Sequence, residues 1–255
     1  MPSITHNGIN FYYKETGHGS PILCIHGGMA DSSNFDEQLN YFKKTHRIVA
    51  VDLRGHGQSD KPQGEYTINI FADDCVWLAQ QLELTKPIVV GHSMGGLISL
   101  DIAARYPEFA SAIIILDSPI MPTPAFAEAL KPFVASLRSP MYRESIRMFL
   151  DQFLGFTDRP EQRAALMEQF SSPPQHVVSA ELESYVAFDT DIAASKCKVP
   201  VAYISSGPNF SDLTRFREVC PQLVTGQTIG SGHYHQMEVP EQINAMIERF
   251  IELTF

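Results

Sequence analysis

Cysteine is scarce. Cys24, Cys75, Cys197 and Cys220 are the only four in 255 residues, and none stands at metal-ligand or redox spacing from another. That excludes a disulfide-stapled scaffold and makes a reduced, cytosolic protein the default expectation. Cys24 lies in an apolar run and is expected to be a buried thiol. Positive charge is short as well: 19 Lys and Arg face 29 Asp and Glu, a net charge of −10, with no basic run. An acidic surface disfavours nucleic acid and anionic membrane as partners, because both call for positive charge. No apolar stretch reaches the roughly 18 residues of a membrane span. Met1 through Gly8 lack the basic-then-apolar order of a signal peptide, so a cytoplasmic location is expected and the sequon Asn209-Phe210-Ser211 is read as chance. No Gly-x-Gly-x-x-Gly follows a strand-like run and no cluster of His, Cys and carboxylates has metal spacing, so no cofactor and no metal are expected.

What is present is an ordinary globular composition, 44% hydrophobic, in a chain long enough for one large domain with an insertion. Residues 8–16 alternate like a hairpin strand, with Ile9, Phe11 and Tyr13 on one side. Continuous apolar runs follow at 21–25, 47–51, 87–90, 112–116 and 199–204, the mark of parallel strands buried on both faces. Helical patterns separate them at 35–44, 67–82, 94–106 and 240–253. Strands alternating with helices predict a doubly wound, mostly parallel α/β sheet.

Residues 119–190 break that alternation. Thr123-Pro124 is expected to start one helix, with Phe126, Leu130, Phe133 and Leu137 along one side and a possible kink at Pro132. Ser139-Pro140 is expected to start a second, stopped at Gly155. Shorter patterns follow at 160–170 and 175–187. The reading is a core of residues 1–118 and 191–255 carrying a helical insertion, 119–190. Phe126, Phe133, Phe149, Phe153 and Phe188 are expected mostly to pack that insertion, with one or two facing a ligand.

The pentapeptide Gly91-His92-Ser93-Met94-Gly95 sits between the strand-like Pro87-Ile88-Val89-Val90 and a helix-like run from Gly96. A Gly-x-Ser-x-Gly turns up by chance in roughly one chain of this length in ten. Between a strand and a helix, however, it puts a serine on a sharp, strained turn whose small flanks let the chain fold back. The Ser93 hydroxyl then points out of the sheet, with the Met94 N–H beside it as a donor for a developing oxyanion. A serine nucleophile needs a base, and the base an orienting acid. Near the C-terminus, His233 follows a glycine-rich turn in Gly230-Ser231-Gly232-His233-Tyr234-His235 and precedes the last helix. It is the expected base, with His235 as its competitor.

Four motifs stand in order along most of the chain: Ile25-His26-Gly27-Gly28, Asp52 through Asp60 (Asp-Leu-Arg-Gly-His-Gly-Gln-Ser-Asp), Gly91 through Gly96, and Gly232-His233 through Pro240-Glu241. Together they resemble the α/β-hydrolase superfamily, in its group of esterases, epoxide hydrolases and haloalkane dehalogenases, where an inserted stretch of helices forms a cap. The resemblance implies Ser93 as nucleophile, His233 as base and the N–H groups of Gly28 and Met94 as the oxyanion hole. His26 is expected to brace the oxyanion loop through its ring nitrogens, and His56 to fix the turn of Arg54-Gly55-His56-Gly57. Dehalogenases and epoxide hydrolases of the group carry aspartate at the nucleophile position, so Ser93 points to acyl transfer instead. The acid has two candidates. Most of the family places it after the strand that follows the cap, where this chain has Asn209 or Phe210 and, two residues late, Asp212. Another branch places it at the end of the strand before the cap, where Asp117 stands. Asp212 has an alternative role as a helix cap, and Asp117 as a cap or a partner of Ser118.

The expected activity is therefore a serine hydrolase acting through an acyl-enzyme on a small ester, lactone or amide. Other activities of the same fold remain open: C–C hydrolysis of ring-cleavage products, with Arg138, Arg143 or Arg147 holding a carboxylate, or perhydrolase or cofactor-free dioxygenase chemistry. A hydrolase-like receptor for a small ligand is a further alternative. Oligomeric state is left open, with Met121 and the aromatic residues of the insertion fitted to an interface or to a pocket.

Overall fold

The computed structural model describes residues 2–154, 160–170, 172–207 and 210–255. In chain order its first elements are β1 (Ser3–His6), β2 (Ile9–Thr16), β3 (Pro21–Ile25), α1 (Asp36–Phe42), β4 (Arg47–Val51), α2 (Ile68–Gln81), β5 (Ile88–His92), α3 (Met94–Arg105) and β6 (Ala112–Leu116). Helices α4 (Pro124–Ser136), α5 (Tyr142–Leu150), α6 (Pro160–Phe170), α7 (Gln175–Ala187) and α8 (Thr190–Lys196) come next. The chain then returns to the sheet with β7 (Val201–Ser205), α9 (Leu213–Val219), β8 (Leu223–Gln227), α10 (His235–Glu238) and α11 (Pro240–Thr254).

The sheet has eight strands in the order β1-β2-β4-β3-β5-β6-β7-β8. β2 pairs antiparallel with β1 and β4, and every later pairing is parallel. Side chains alternate across the sheet, so each central strand feeds two cores. Leu23, Ile25, Val49, Val51, Val89, Ile113 and Ile115 pack under α2, α3 and α8. Ile22, Cys24, Ile48, Ala50, Val90, Ile114 and Leu116 pack on the opposite face against α1 and α11. This two-sided burial is why those strands read as unbroken apolar runs.

Local chemistry sets the helix starts. Thr67 caps α2 by accepting the Ile70 N–H, and Thr123 caps α4 the same way for Phe126, with Pro124 in the first turn. α5 departs from expectation. It starts at Tyr142 rather than after Ser139-Pro140, because the Ser139 hydroxyl accepts the Met141 N–H and closes a turn there first. The expected stop at Gly155 lies outside the described residues, and α5 ends at Leu150.

Helices α4–α7 have their own apolar cluster, in which Leu130, Phe133, Ile146, Leu150, Phe170 and Leu182 meet Met29, Ala30 and Tyr234 from the loops at the sheet's carboxyl edge. The insertion is thereby seated over that edge. Met121, considered for an interface, is instead buried in the core, 3% exposed. All four cysteines are free and buried. Among the described residues no helix is long and apolar enough to cross a membrane.

Candidate active site

Ser93 occupies the turn between β5 and α3 with φ 52° and ψ −118°. A non-glycine residue held there costs about 1–3 kcal/mol and persists only where its surroundings fix it. They do so here: the Ser93 N–H donates to the Leu116 carbonyl and its own carbonyl accepts the Gly96 N–H, both at 2.9 Å. The flanking glycines answer to close approach. A Cβ on Gly91 would lie 2.1 Å from the Gly95 carbonyl oxygen, and one on Gly95 would lie 2.1 Å from that of Ile25. The strain sits on the serine and the crowding on its neighbours.

β6 is the sheet neighbour of β5, and Asp117 follows its last residue with φ 47°, a left-handed conformation that aspartate tolerates better than most residues. That conformation turns the carboxylate toward the loop carrying His233. Asp117 Oδ2 lies 2.8 Å from His233 Nδ1. Ser206, just past β7, donates its N–H to Oδ1 at 2.9 Å and its hydroxyl to Oδ2 at 2.7 Å. Burial alone would raise the Asp117 pKa, but the hydrogen bond and charge of His233, with His235 and the Ser206 N–H, hold it well below the usual carboxylate range. An ionised carboxylate only accepts, so His233 Nδ1 carries a proton and, in the neutral ring, Nε2 keeps its lone pair. Asp212 is elsewhere: it caps α9, accepting the Arg215 N–H at 3.0 Å. Of the two candidate acids, the fold brings Asp117 to His233.

The other histidines separate clearly. His235 is fully buried beside Thr228, Nδ1 to hydroxyl 3.2 Å, and burial pulls its pKa to about 4. His92 packs under His233 and donates from Nε2 to the His233 carbonyl at 2.9 Å. Burial, then the nearby His233 and His235, keep it neutral. His26 donates from Nδ1 to the Gly27 carbonyl at 2.7 Å and accepts the Leu53 N–H at 3.1 Å, tying the loop after β3 to the turn after β4. Burial and its neighbour His56 lower its pKa to about 3, consistent with a neutral ring that can accept.

Ser93, His233, Gly28 and Met94 line one cavity of about 60 Å³. Met94 is the first residue of α3, where an N–H has no acceptor within its own helix. The wall is apolar: Phe126, Leu130, Phe149, Phe153, Leu182 and Phe210 face the serine. Three of the insertion's phenylalanines thus line the cavity, more than the one or two expected. Phe133 stacks behind Phe149 at 3.8 Å, and Phe188 borders an outer cavity. Among the described residues, neither Lys nor Arg appears in the wall. Arg138 pairs with Glu183 and Arg143 lies over the Tyr142 ring, and neither they nor Arg147 line this cavity. Among the described residues no group of three His, Cys, Asp or Glu could hold a metal ion.

Ser206 and Glu181 escaped the sequence reading. Ser206 sits in the stretch searched for an acid, where a serine carries no such signal. Glu181, wholly buried on α7 against His56 and the loop of Gly28 and Met29, stands in a helix with no pattern to mark it.

A family model described as alpha/beta hydrolase fold matches residues 20–158, more than half of the chain. The chain is 32% identical over 183 residues to the AB hydrolase superfamily protein YisY of Bacillus subtilis, across 71% of this chain and 63% of that protein. It is 36% identical over 109 residues to 2-(acetamidomethylene)succinate hydrolase of Mesorhizobium japonicum, across 43% of this chain and 39% of that one. These alignments span less than two thirds of either relative. Est816, an N-acyl homoserine lactone degrading enzyme, superposes with a TM-score of 0.87 at 24% identity, covering 98% of this chain and 100% of that one, a likeness of fold. The sheet order, the serine at the strand–helix turn and the matched family model agree: this chain belongs to the alpha/beta hydrolase fold family.

Proposed function

We propose that the protein is a serine hydrolase that cleaves a small apolar ester, lactone or amide through an acyl-enzyme. The observation that carries this reading is the 2.8 Å contact of His233 Nδ1 with the buried, ionised Asp117, on a cavity wall that also holds Ser93. His233 Nε2 takes the Ser93 proton as the hydroxyl oxygen bonds to the substrate carbonyl carbon. The carbonyl oxygen becomes an oxyanion received by the N–H groups of Gly28 and Met94. The imidazolium, held in place by Asp117, gives its proton to the leaving oxygen or nitrogen, and the carbonyl–leaving-group bond breaks. Water then repeats the sequence on the acyl-enzyme and releases the acid and Ser93. Helices α4–α7 act as a cap that keeps bulk water away from the charge.

The cavity's size and wall point to the substrate. About 60 Å³ holds a short acyl group. The apolar side chains that line the cavity among the described residues favour an uncharged group beside the carbonyl over the carboxylated product of a ring cleavage. Lactone cleavage, named for Est816, follows the same steps with the leaving oxygen retained on the acyl chain. The test is intact-mass labelling with a fluorophosphonate, alongside turnover of p-nitrophenyl acetate and a small lactone. Wild type should gain one adduct and turn over, while Ser93→Ala and His233→Ala should do neither. A folded wild type that takes no adduct and turns over neither substrate removes the proposal.

A further inference from the structure

One buried ionisable pair stands outside the Ser93–His233–Asp117 chemistry. Glu181, in the middle of α7, and His56, in the turn after β4, are both fully buried, and Glu181 Oε2 lies 2.8 Å from His56 Nε2. One partner belongs to the inserted helices and the other to the sheet domain. The backbone N–H of Met29 points between the two partners, 3.2 Å from Glu181 Oε1 and 3.2 Å from His56 Nε2. Met29 follows Gly28 directly and holds φ at 61°, which a long side chain adopts only under constraint. A Cβ on Gly28 would stand 3.3 Å from the same oxygen. The carboxylate therefore lies against the loop that offers the Gly28 N–H to the cavity.

Counting protons fixes the pair's charge. His56 Nδ1 is 2.9 Å from the Arg54 carbonyl, which only accepts, so Nδ1 carries a hydrogen. In the neutral ring Nε2 is then a lone pair, and two lone-pair atoms 2.8 Å apart in a dry interior repel. A proton must lie between them. Whether it sits on nitrogen or oxygen, the pair is neutral overall, and the Met29 N–H is left to Oε1. Neutrality matters at this place. A bare carboxylate beside the Gly28 loop would oppose the negative charge that builds on the substrate oxygen.

We propose that Glu181 is a positioning residue that locks the Gly28–Met29 loop in its donor geometry only while the cap is seated on the sheet, so that cap closure and oxyanion-hole assembly are one event. The proposal rests on the serine-hydrolase reading above. Lifting α7 withdraws Oε1 from the Met29 N–H and leaves it to His56 Nε2 alone, which draws the loop out of its donor geometry. The cap then acts on the chemistry through one side chain as well as by covering the site.

The test compares wild type, E181L and E181Q as full-length proteins in two readouts: kcat and KM for p-nitrophenyl acetate, and deuterium uptake by peptides spanning residues 26–31. E181L should lower kcat about 10- to 100-fold with KM within about twofold, the cost of a displaced donor, and should speed exchange in that segment. The amide of E181Q accepts from Met29 and donates to neutral His56, so it should recover kcat to within about threefold and restore protection. E181M takes the place of E181L should the latter not fold. A folded E181L or E181M with unchanged kcat and exchange overturns the proposal, and so does a loss confined to KM or an E181Q as impaired as E181L. A wild type inert to fluorophosphonate removes the serine-hydrolase reading instead, and the exchange comparison alone then decides the lock.

Discussion

Replacing Asp117 by Asn changes one oxygen for an NH2 and tests the carboxylate proposed to orient His233. Asp117 is 2% exposed and accepts three hydrogen bonds, one from His233 and two from Ser206. In D117N the amide oxygen keeps a Ser206 donor, which leaves NH2 facing His233 Nδ1. Two donors cannot share that contact, so the ring moves its proton to Nε2. The nitrogen that should receive the Ser93 proton is then occupied, and the imidazolium that forms later lacks its counter-charge. The wrong tautomer of a serine-hydrolase histidine costs about 10⁴-fold in kcat, about 5 kcal/mol of barrier. D212N is the control, because Asp212 caps α9 and asparagine caps a helix as well as aspartate does, so neither rate nor stability should change much. The assay is pre-steady-state acylation by p-nitrophenyl acetate on both variants. D117N within tenfold of wild type, or D212N slower than D117N, would refute the reasoning. Stability gives a second readout with a definite sign. The folded pKa of Asp117 is depressed, so its ionised form stabilises the protein above about pH 4, its unfolded value, and that contribution is lost as pH falls through the folded value. The melting temperature of D117N should therefore fall less than that of wild type on acidification below about pH 4.

Three further outcomes are expected. Phe126 and Leu130 border both the 60 Å³ cavity and an outer one of about 670 Å³, so Phe126→Ala should join the two. The octanoate-to-acetate ratio of kcat/KM for p-nitrophenyl esters should then rise at least about tenfold, at about 0.8 kcal/mol per methylene newly buried; an unchanged ratio removes Phe126 as the partition. Gly95→Ala places a methyl 2.1 Å from the Ile25 carbonyl oxygen, where neither backbone can yield, and should cost about 3 kcal/mol by urea unfolding. Burial opposes charge on His56, yet Glu181, the Arg54 carbonyl and Asp52 raise its pKa above the ordinary value. The stability it contributes is complete below about pH 6.5 and is lost as pH rises through the raised value, so wild type should lose melting temperature on the alkaline side where E181Q does not. His26 and Asp52 also face His56 and are common to both proteins.

The parallel strands were legible because burial on both faces leaves no polar position in runs such as Ala112–Leu116. β1 and β8 were not, for the matching reason. At the sheet's two edges, β1 has no buried residue and β8 buries only Leu223, so Ser-Ile-Thr-His and Leu-Val-Thr-Gly-Gln carry no apolar run. α8 and α9 span seven residues each, and of these two only the cap of α9, Asp212, showed in the sequence. The larger helices announced themselves through caps, as Thr67 and Thr123 did, because a cap is a local bond between near neighbours. The late start of α5 shows the limit of that rule. Ser139 makes a local bond too, but it closes a turn.

The same division between local and distant runs through the site. The Ser93 turn is written in five consecutive residues, since its crowding is between Gly91, Gly95 and the strand beside them. The acid could not be read that way. Asp117 and Asp212 each had a local role available, and nothing near either residue says which carboxylate reaches His233. Sheet order decides it: β6 lies directly against β5, and β7, bringing Ser206, lies against β6. Glu181 is the extreme case. It pairs with His56 across 125 residues of chain, and its helix gives no sign that one of its glutamates is wholly buried. A buried charge becomes visible only with its partner, and here the partner lies on the other side of the seam between insertion and sheet. That seam brings together residues distant in the chain, so no local pattern marks it. It is also where a single proton, shared between His56 and Glu181, ties the helices above Ser93 to the loop beside it.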